Sequence, residues 1–175
     1  MDKMSDAVNN QAVETQELSE ILQVRRDKLA ALQRDGRDPF QQTKFRRSAW
    51  SEEIKADYDA FDGKTVSVAG RIMSKRGMGK AIFCHIKDDR GQIQLYIRAD
   101  SVSEQEFADF RKYDIGDIVG VSGYVFKTKT EEISVHVSSA VLLSKSLRPL
   151  PEKFHGMTST ELKYRQRYVD LIVND

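Results

Sequence analysis

Residues 80–98, "KAIFCHIKDDRGQIQLYIR", decide how the rest of the chain is read. In the first half Ile82, Cys84 and Ile86 alternate with Ala81, Phe83, His85 and Lys87. In the second, Ile93, Leu95 and Ile97 alternate with Gln92, Gln94, Tyr96 and Arg98. A period of two residues places one set on a dry face and the other on a wet one. Asp88-Asp89-Arg90-Gly91 carries turn chemistry, with Gly91 expected to take a positive φ. Pairing Lys87 with Gln92 sets Ile86 against Ile93, Cys84 against Leu95 and Ile82 against Ile97. The dry face is then complete without an aromatic, yet the wet face carries Phe83 opposite Tyr96 and His85 opposite Gln94. As a plain cross-strand pair the aromatics contribute about 0.2–1 kcal/mol. The neighbouring segments decide whether they have a second use.

Upstream, Lys64 to Ser74 alternates through Val66 and Val68, with Gly70 predicted to mark a bulge or bend. Downstream, Ser103-x-x-Glu106 is a capping box that opens a helix carrying Phe107 and Phe110. Asp114-Ile115-Gly116-Asp117 turns the chain into a fourth strand, IVGVSGYVF, and Glu132 to Leu143 supplies a fifth. Three strands, a helix and two strands is the succession of an OB-fold, a five-stranded Greek-key barrel. An antiparallel sandwich would need more strands. The expected class is therefore mainly β with α, the barrel flanked by N-terminal helices and a C-terminal linker helix.

The flanks divide by composition. Residues 1–16 are polar and aperiodic and predict a disordered tail. Residues 17–62 form a helical extension. Leu18, Ile21, Leu22, Leu29 and Leu32 recur at helical spacing before Gly36. A second, short helix starts at Ser51, whose hydroxyl is expected to cap it, and ends at Asp62-Gly63. The barrel occupies 63–143, and 144–157 is a hinge with two prolines. Within 158–175, a capping box Thr158-x-x-Glu161 predicts a helix through Tyr164, Tyr168 and Leu171, whose apolar stripe has nothing after it to pack on.

Composition narrows the function classes. The 175 residues are 39% hydrophobic and 31% charged, with no apolar run near the ~20 residues a membrane span needs. The N-terminus has no apolar core of a secretory signal, and a single cysteine suggests a reducing compartment; cytoplasm is the expectation. Net charge is only +1, but residues 71–80, RIMSKRGMGK, hold Arg71, Lys75, Arg76 and Lys80 with no acid. No metal set is predicted, because His85, His136 and His155 are isolated and there is no C-x-x-C. "GMGK" is not a phosphate loop, since Ser74 stands where a glycine is needed and Ala81 where Ser or Thr is. No nucleophile motif occurs, so no catalytic residues are expected.

Nucleic-acid binding fits better. An OB-fold binds on the face of strands two and three, between the loops joining strands one to two and four to five. Phe83 and Tyr96 lie on that face, and the loops are the basic SKRGMGK and Lys127-Thr128-Lys129-Thr130. Phe83 can stack on a base, worth roughly 1–3 kcal/mol. Gln94 and Glu132 can read base edges, and Arg71 and Arg76 can take phosphate or a base carbonyl. Each also has an ordinary reading: loop cations are usually solvated, and Glu132 can simply pair with Lys129. Two readings follow from the residues alone: a free-standing module for single-stranded nucleic acid, and a structural or protein-interaction barrel.

Longer stretches carry a resemblance. "VAGRIMSKRGMGKAIF", "GQIQLY", "KTKTEEISV" and above all "LRPLPEKFHGMTSTELKYRQRYVDLIVND" resemble the class II lysyl-tRNA synthetases, from about Leu18 to the last residue. The resemblance implies that the barrel binds the anticodon loop of tRNA(Lys). Phe83 would stack on the middle uracil and Gln94 hydrogen-bond it. Glu132 would contact an outer anticodon base, and Arg71 and Arg76 the loop, with His85 beside them in the RNA-binding set. One departure stands out: Glu131 precedes Glu132 where the family usually has glycine. The family's catalytic domain, which uses ATP and magnesium, lies beyond these residues, and 158–175 would be its start. The chain is thus expected to be an N-terminal part of the ligase, inactive alone and without its own cofactor, from a longer protein that is a homodimer.

Overall fold

A computed structural model describes residues 3–151 and 160–173. Five strands, β1 (Thr65–Met78), β2 (Ala81–Lys87), β3 (Gln92–Arg98), β4 (Ile118–Lys127) and β5 (Ile133–Ser144), close a barrel in the order β1-β2-β3-β5-β4. Only β3 and β5 pair in parallel. A helix, α4 (Glu104–Lys112), stands between β3 and β4, which completes the OB-fold. The β2–β3 register is the one the alternation predicts, Lys87 with Gln92 through Ile82 with Ile97. Ile86, Ile93, Leu95, Ile97, Val121 and Val135 are buried inside.

Two glycine expectations are corrected. Gly70 pairs regularly with Val119, and the bulge falls at Met73, where β1 slips against β2 between Ile72 and Ser74. Gly70 is needed for close approach instead: a Cβ there would lie 2.8 Å from the Lys87 carbonyl oxygen. Gly91 does not take a positive φ. A Cβ on it would sit 3.1 Å from Ser51 Oγ, so the hairpin turn packs against helix α2 (Ser51–Ala56). Asp88 makes that junction. Its carboxylate accepts from the Arg90 and Gly91 amides at 2.8 and 2.9 Å, and from Ser51 N and Oγ at 2.8 Å each. The Ser51 hydroxyl therefore donates to the hairpin rather than capping its helix. Trp50 is the N-cap residue, its N–H donating to Glu53 at 2.9 Å. A further turn, α3 (Tyr58–Phe61), precedes Gly63.

Helix α4 is fastened at both ends. Ser103 and Glu106 form the predicted capping box, and Glu106 also accepts from Ala140 N and Ser139 Oγ of β5, at 3.0 and 2.9 Å. At the C-terminus Lys75 Nζ donates to the carbonyls of Phe110, Arg111 and Tyr113, the position where a cation complements the helix dipole. Between the ends Phe107 and Phe110 enter the core. Below them Lys145, 2% exposed at its side chain, binds Asp117 at 2.8 Å and Asp114 at 2.6 Å. Lys28 meets Asp114 at 2.6 Å, tying the last turns of the N-terminal helix to the barrel.

The chain divides into two compact units, Asp27–Ser146, which holds the barrel, and Met1–Arg26 with Leu147–Asp175. The first helix, α1, spans Lys3–Arg34, so it begins inside the stretch expected to be a disordered tail. That stretch has no apolar stripe, but it contains no Gly or Pro either, and extending an existing helix is far easier than nucleating one. In the second unit Arg25 Nη1 donates to the Arg148 carbonyl at 3.1 Å. The predicted terminal helix is two short ones, α5 (Thr160–Arg165) and α6 (Arg167–Val173), which leave Tyr164, Tyr168 and Leu171 exposed. Thr158 of the second capping box and residues 152–157 of the hinge lie outside the described residues.

Candidate nucleic-acid interface

The bulge at Met73 sets up the outer face. Before it, Val66, Val68 and Ile72 point inward; after it, Lys75 stands opposite Cys84 on the inner side, and Arg76 stands opposite Phe83 on the outer. Of the cations in the basic run, Arg76 is therefore exposed beside the aromatics, while Lys75 is spent on α4. Burial pulls the Lys75 ammonium below its ordinary value, with Asp114 opposing.

Phe83 and Tyr96 face each other with ring centroids 4.8 Å apart, tilted by 31°. They line a pocket of about 550 Å³ with Arg76, Met78, Gln94, Phe126 and the loop Lys127–Thr130. Gln94 forms part of its wall and is only 8% exposed. Its Oε1 accepts from Ser134 Oγ at 2.8 Å, and no hydrogen bond among the described residues takes its Nε2. Ser134 Oγ also lies 3.1 Å from the Glu132 carbonyl, so the Gln94 amide is tethered at one end and offers its other end to the pocket. A tethered amide beside a stacking ring suits a flat group with a polar edge.

The remaining predicted residues separate. His85 and Glu132 form a pair next to the pocket, outside its lining: Nε2 lies 3.9 Å from Glu132 Oε1, and Nδ1 lies 3.0 Å from Ser74 Oγ. The ordinary partner expected for Glu132, Lys129, is not the one found. Glu132 N also donates to Thr128 Oγ1 at 3.2 Å, which seats it at the base of the loop. Arg71 is not brought to the pocket; its Nη1 donates to the Gly116 carbonyl at 2.8 Å. Half-buried there, its guanidinium is pushed below its ordinary value by burial, with Asp117 opposing.

Sequence reasoning missed Phe126 and its neighbours Tyr124 and His136. The signal was available, since the period of two in IVGVSGYVF puts Tyr124 and Phe126 on the outer side, and Phe126 meets Tyr96 at 5.8 Å. Other chemistry has little to work with. Cys84 is buried and its thiol is pushed up to about 12, with Lys75 opposing. Among the described residues no group of three His, Cys, Asp or Glu is placed to hold a metal, and no helix is long and apolar enough to cross a membrane.

Residues 66–143, β1 through β5, match the tRNA anticodon family of OB-fold nucleic acid binding domains. The whole chain is similar to lysine–tRNA ligases: 49% identical over 98% of its length to that of Clostridium tetani, and 50% over 98% to that of Thermoanaerobacter pseudethanolicus. With the Clostridium acetobutylicum lysine–tRNA ligase it shares 51% over 96%. The chain matches the lysine–tRNA ligases along almost its whole length. It spans about a third of the length of these relatives, 34%, 34% and 33% respectively. Its barrel is an anticodon-binding OB-fold domain that matches lysine–tRNA ligases, and the pocket on β2 and β3 lies on the face OB-folds use.

Proposed function

We propose that this chain binds the anticodon loop of tRNA(Lys), with the middle uracil in the pocket of Phe83 and Gln94. The observation that carries the reading is the pairing, in one pocket, of a half-exposed aromatic with an amide tethered by Ser134. Phe83 stacks on the base and Gln94 Nε2 donates to a uracil carbonyl. A cytosine keeps its O2 carbonyl but presents an amino group in place of O4, which sets donor against donor if O4 is the edge read. Arg76, Lys127 and Lys129 take phosphates around the pocket. Glu132, aligned by His85, contacts an outer anticodon base, and Arg71 supports the site by bracing the barrel.

The longer protein is a cytoplasmic, homodimeric lysine–tRNA ligase that attaches lysine to tRNA with ATP and magnesium. ATP and magnesium belong to that larger activity, and no chemical step is assigned to the residues of this chain. Titrating the chain with a lysine anticodon stem-loop, and with one whose middle uracil is replaced by cytosine, tests the reading. Phe83→Ala should weaken the first about 5- to 150-fold, the loss of one stacked base, with an unchanged melting temperature because the dry face is complete without it. Equal affinity for both loops would refute sequence recognition, and a Phe83→Ala variant that unfolds would return the ring to a structural role.

A further inference from the structure

Beyond the pocket the same outer face carries aromatics to which no role has yet been given. Strand register places Phe83, Tyr96, His136 and Tyr124 in one row across β2, β3, β5 and β4. The ring centroids step by 4.8, 5.2 and 4.8 Å. The contacts differ in kind. Tyr96 meets His136 edge-on at 78°, whereas His136 and Tyr124 are stacked, 8° from parallel. Phe126 links the two ends, lining the pocket and lying 6.0 Å from Tyr124.

Tyr124 does not close the core at this level. Val125, Val135 and Val137 do, each fully buried, while Tyr124 is 43% exposed. Burial, with Arg98 adding to it, holds the His136 imidazole below its ordinary value, so the ring that backs Tyr124 is neutral at neutral pH. The stacked pair presents an uncharged aromatic surface that joins the pocket through Phe126, with Lys127 beside Phe126 on the same strand. Three strand spacings of about 4.8 Å separate Tyr124 from Phe83, too far for one base to touch both. OB-folds track about 4–16 nucleotides, more than one base pocket holds.

We infer that the Tyr124–His136 stack is a second nucleobase platform, which takes a loop nucleotide flanking the base held at Phe83. This rests on the RNA-binding reading above. The test walks an abasic site through the loop of the lysine anticodon stem-loop and measures affinity at each position. Wild type should lose affinity at the middle anticodon position and again at a second, flanking position. In Tyr124→Ala the intact loop should bind about 5- to 150-fold more weakly, and the flanking abasic site should cost nothing further. Tyr124→Leu, which keeps apolar cover without a ring face, should behave as the alanine variant, and Tyr124→Phe as wild type. A middle-position loss with no flanking loss in wild type, or a flanking loss that persists in both Tyr124→Ala and Tyr124→Leu, overturns the platform alone. No loss at the middle position overturns the reading beneath it, and the platform with it.

Discussion

Glu131 sits at φ +61°, the one non-glycine residue in the left-handed region among those described. That conformation costs an L-residue about 1–2 kcal/mol, and glycine adopts it without that cost. The resemblance puts glycine at this position, and the backbone keeps the shape glycine would have: Glu131 N donates to the Thr128 carbonyl at 3.0 Å, closing the loop. The side chain adds a charge, lying 3.8 Å from Lys127 Nζ, a cation of the pocket rim. Glu131→Gly should therefore relieve strain and free Lys127 together. We expect a gain of up to about 1 kcal/mol in chemical denaturation. Affinity for the anticodon stem-loop should rise by up to about fivefold, most at low salt. Unchanged affinity at low salt would mean that Lys127 does not reach the RNA.

At the scale of elements, Lys75 shows what was legible and what was not. The hairpin register could be read directly, because alternation and turn length leave one pairing that keeps the isoleucines together. The faces of β1 beyond Ile72 could not, because one bulged residue reverses the alternation and nothing in "RIMSKRGMGK" marks Met73 as that residue. Lys75 thus reads as surface charge but serves the end of α4. Lys75→Met should cost about 1.5–3 kcal/mol, the worth of hydrogen bonds from a charged donor, and leave RNA affinity unchanged. A drop in affinity at full stability would restore it to the binding surface. Gly91, Ser51 and Gln94 were misread or half-read for a related reason. Each is defined by a partner distant in sequence: Gly91 by Ser51, Ser51 by Asp88, and the tethering of Gln94 by Ser134. The outer aromatics of β4 and β5 become legible only once each strand's alternation is assigned a dry face, which Val125, Val135 and Val137 define.

For the molecule as a whole, the cluster of buried Lys145 and Asp117 with partly buried Asp114 and Lys28 governs response to acid. Burial alone would raise the Asp114 carboxyl, but hydrogen bonds from Lys145 and Lys28 outweigh it and hold the group below its ordinary 3.8. A carboxyl depressed on folding contributes stability that is complete above its unfolded value and is lost as the pH falls through the folded one. The barrel should therefore hold its melting temperature down to about pH 4 and lose it below, and Asp114→Asn should flatten that decline. Lys145→Ala, which strands Asp117 at 0% exposure, should cost about 3–5 kcal/mol at neutral pH. An acid limb of the same steepness in Asp114→Asn would move the transition to other carboxylates, Glu106 first among them.

The bulge at Met73 also bears on which changes in length the gene can tolerate. A codon lost or gained between Ile72 and Arg76 would exchange the inner and outer assignments of everything up to the tip of β1. Arg76 would be driven toward the barrel interior and Lys75 expelled from it, without one chemical substitution. Relatives should accordingly vary in length in the 128–131 loop far more readily than in the second half of β1. A single inserted residue there would remove the helix anchor and the pocket arginine in one event.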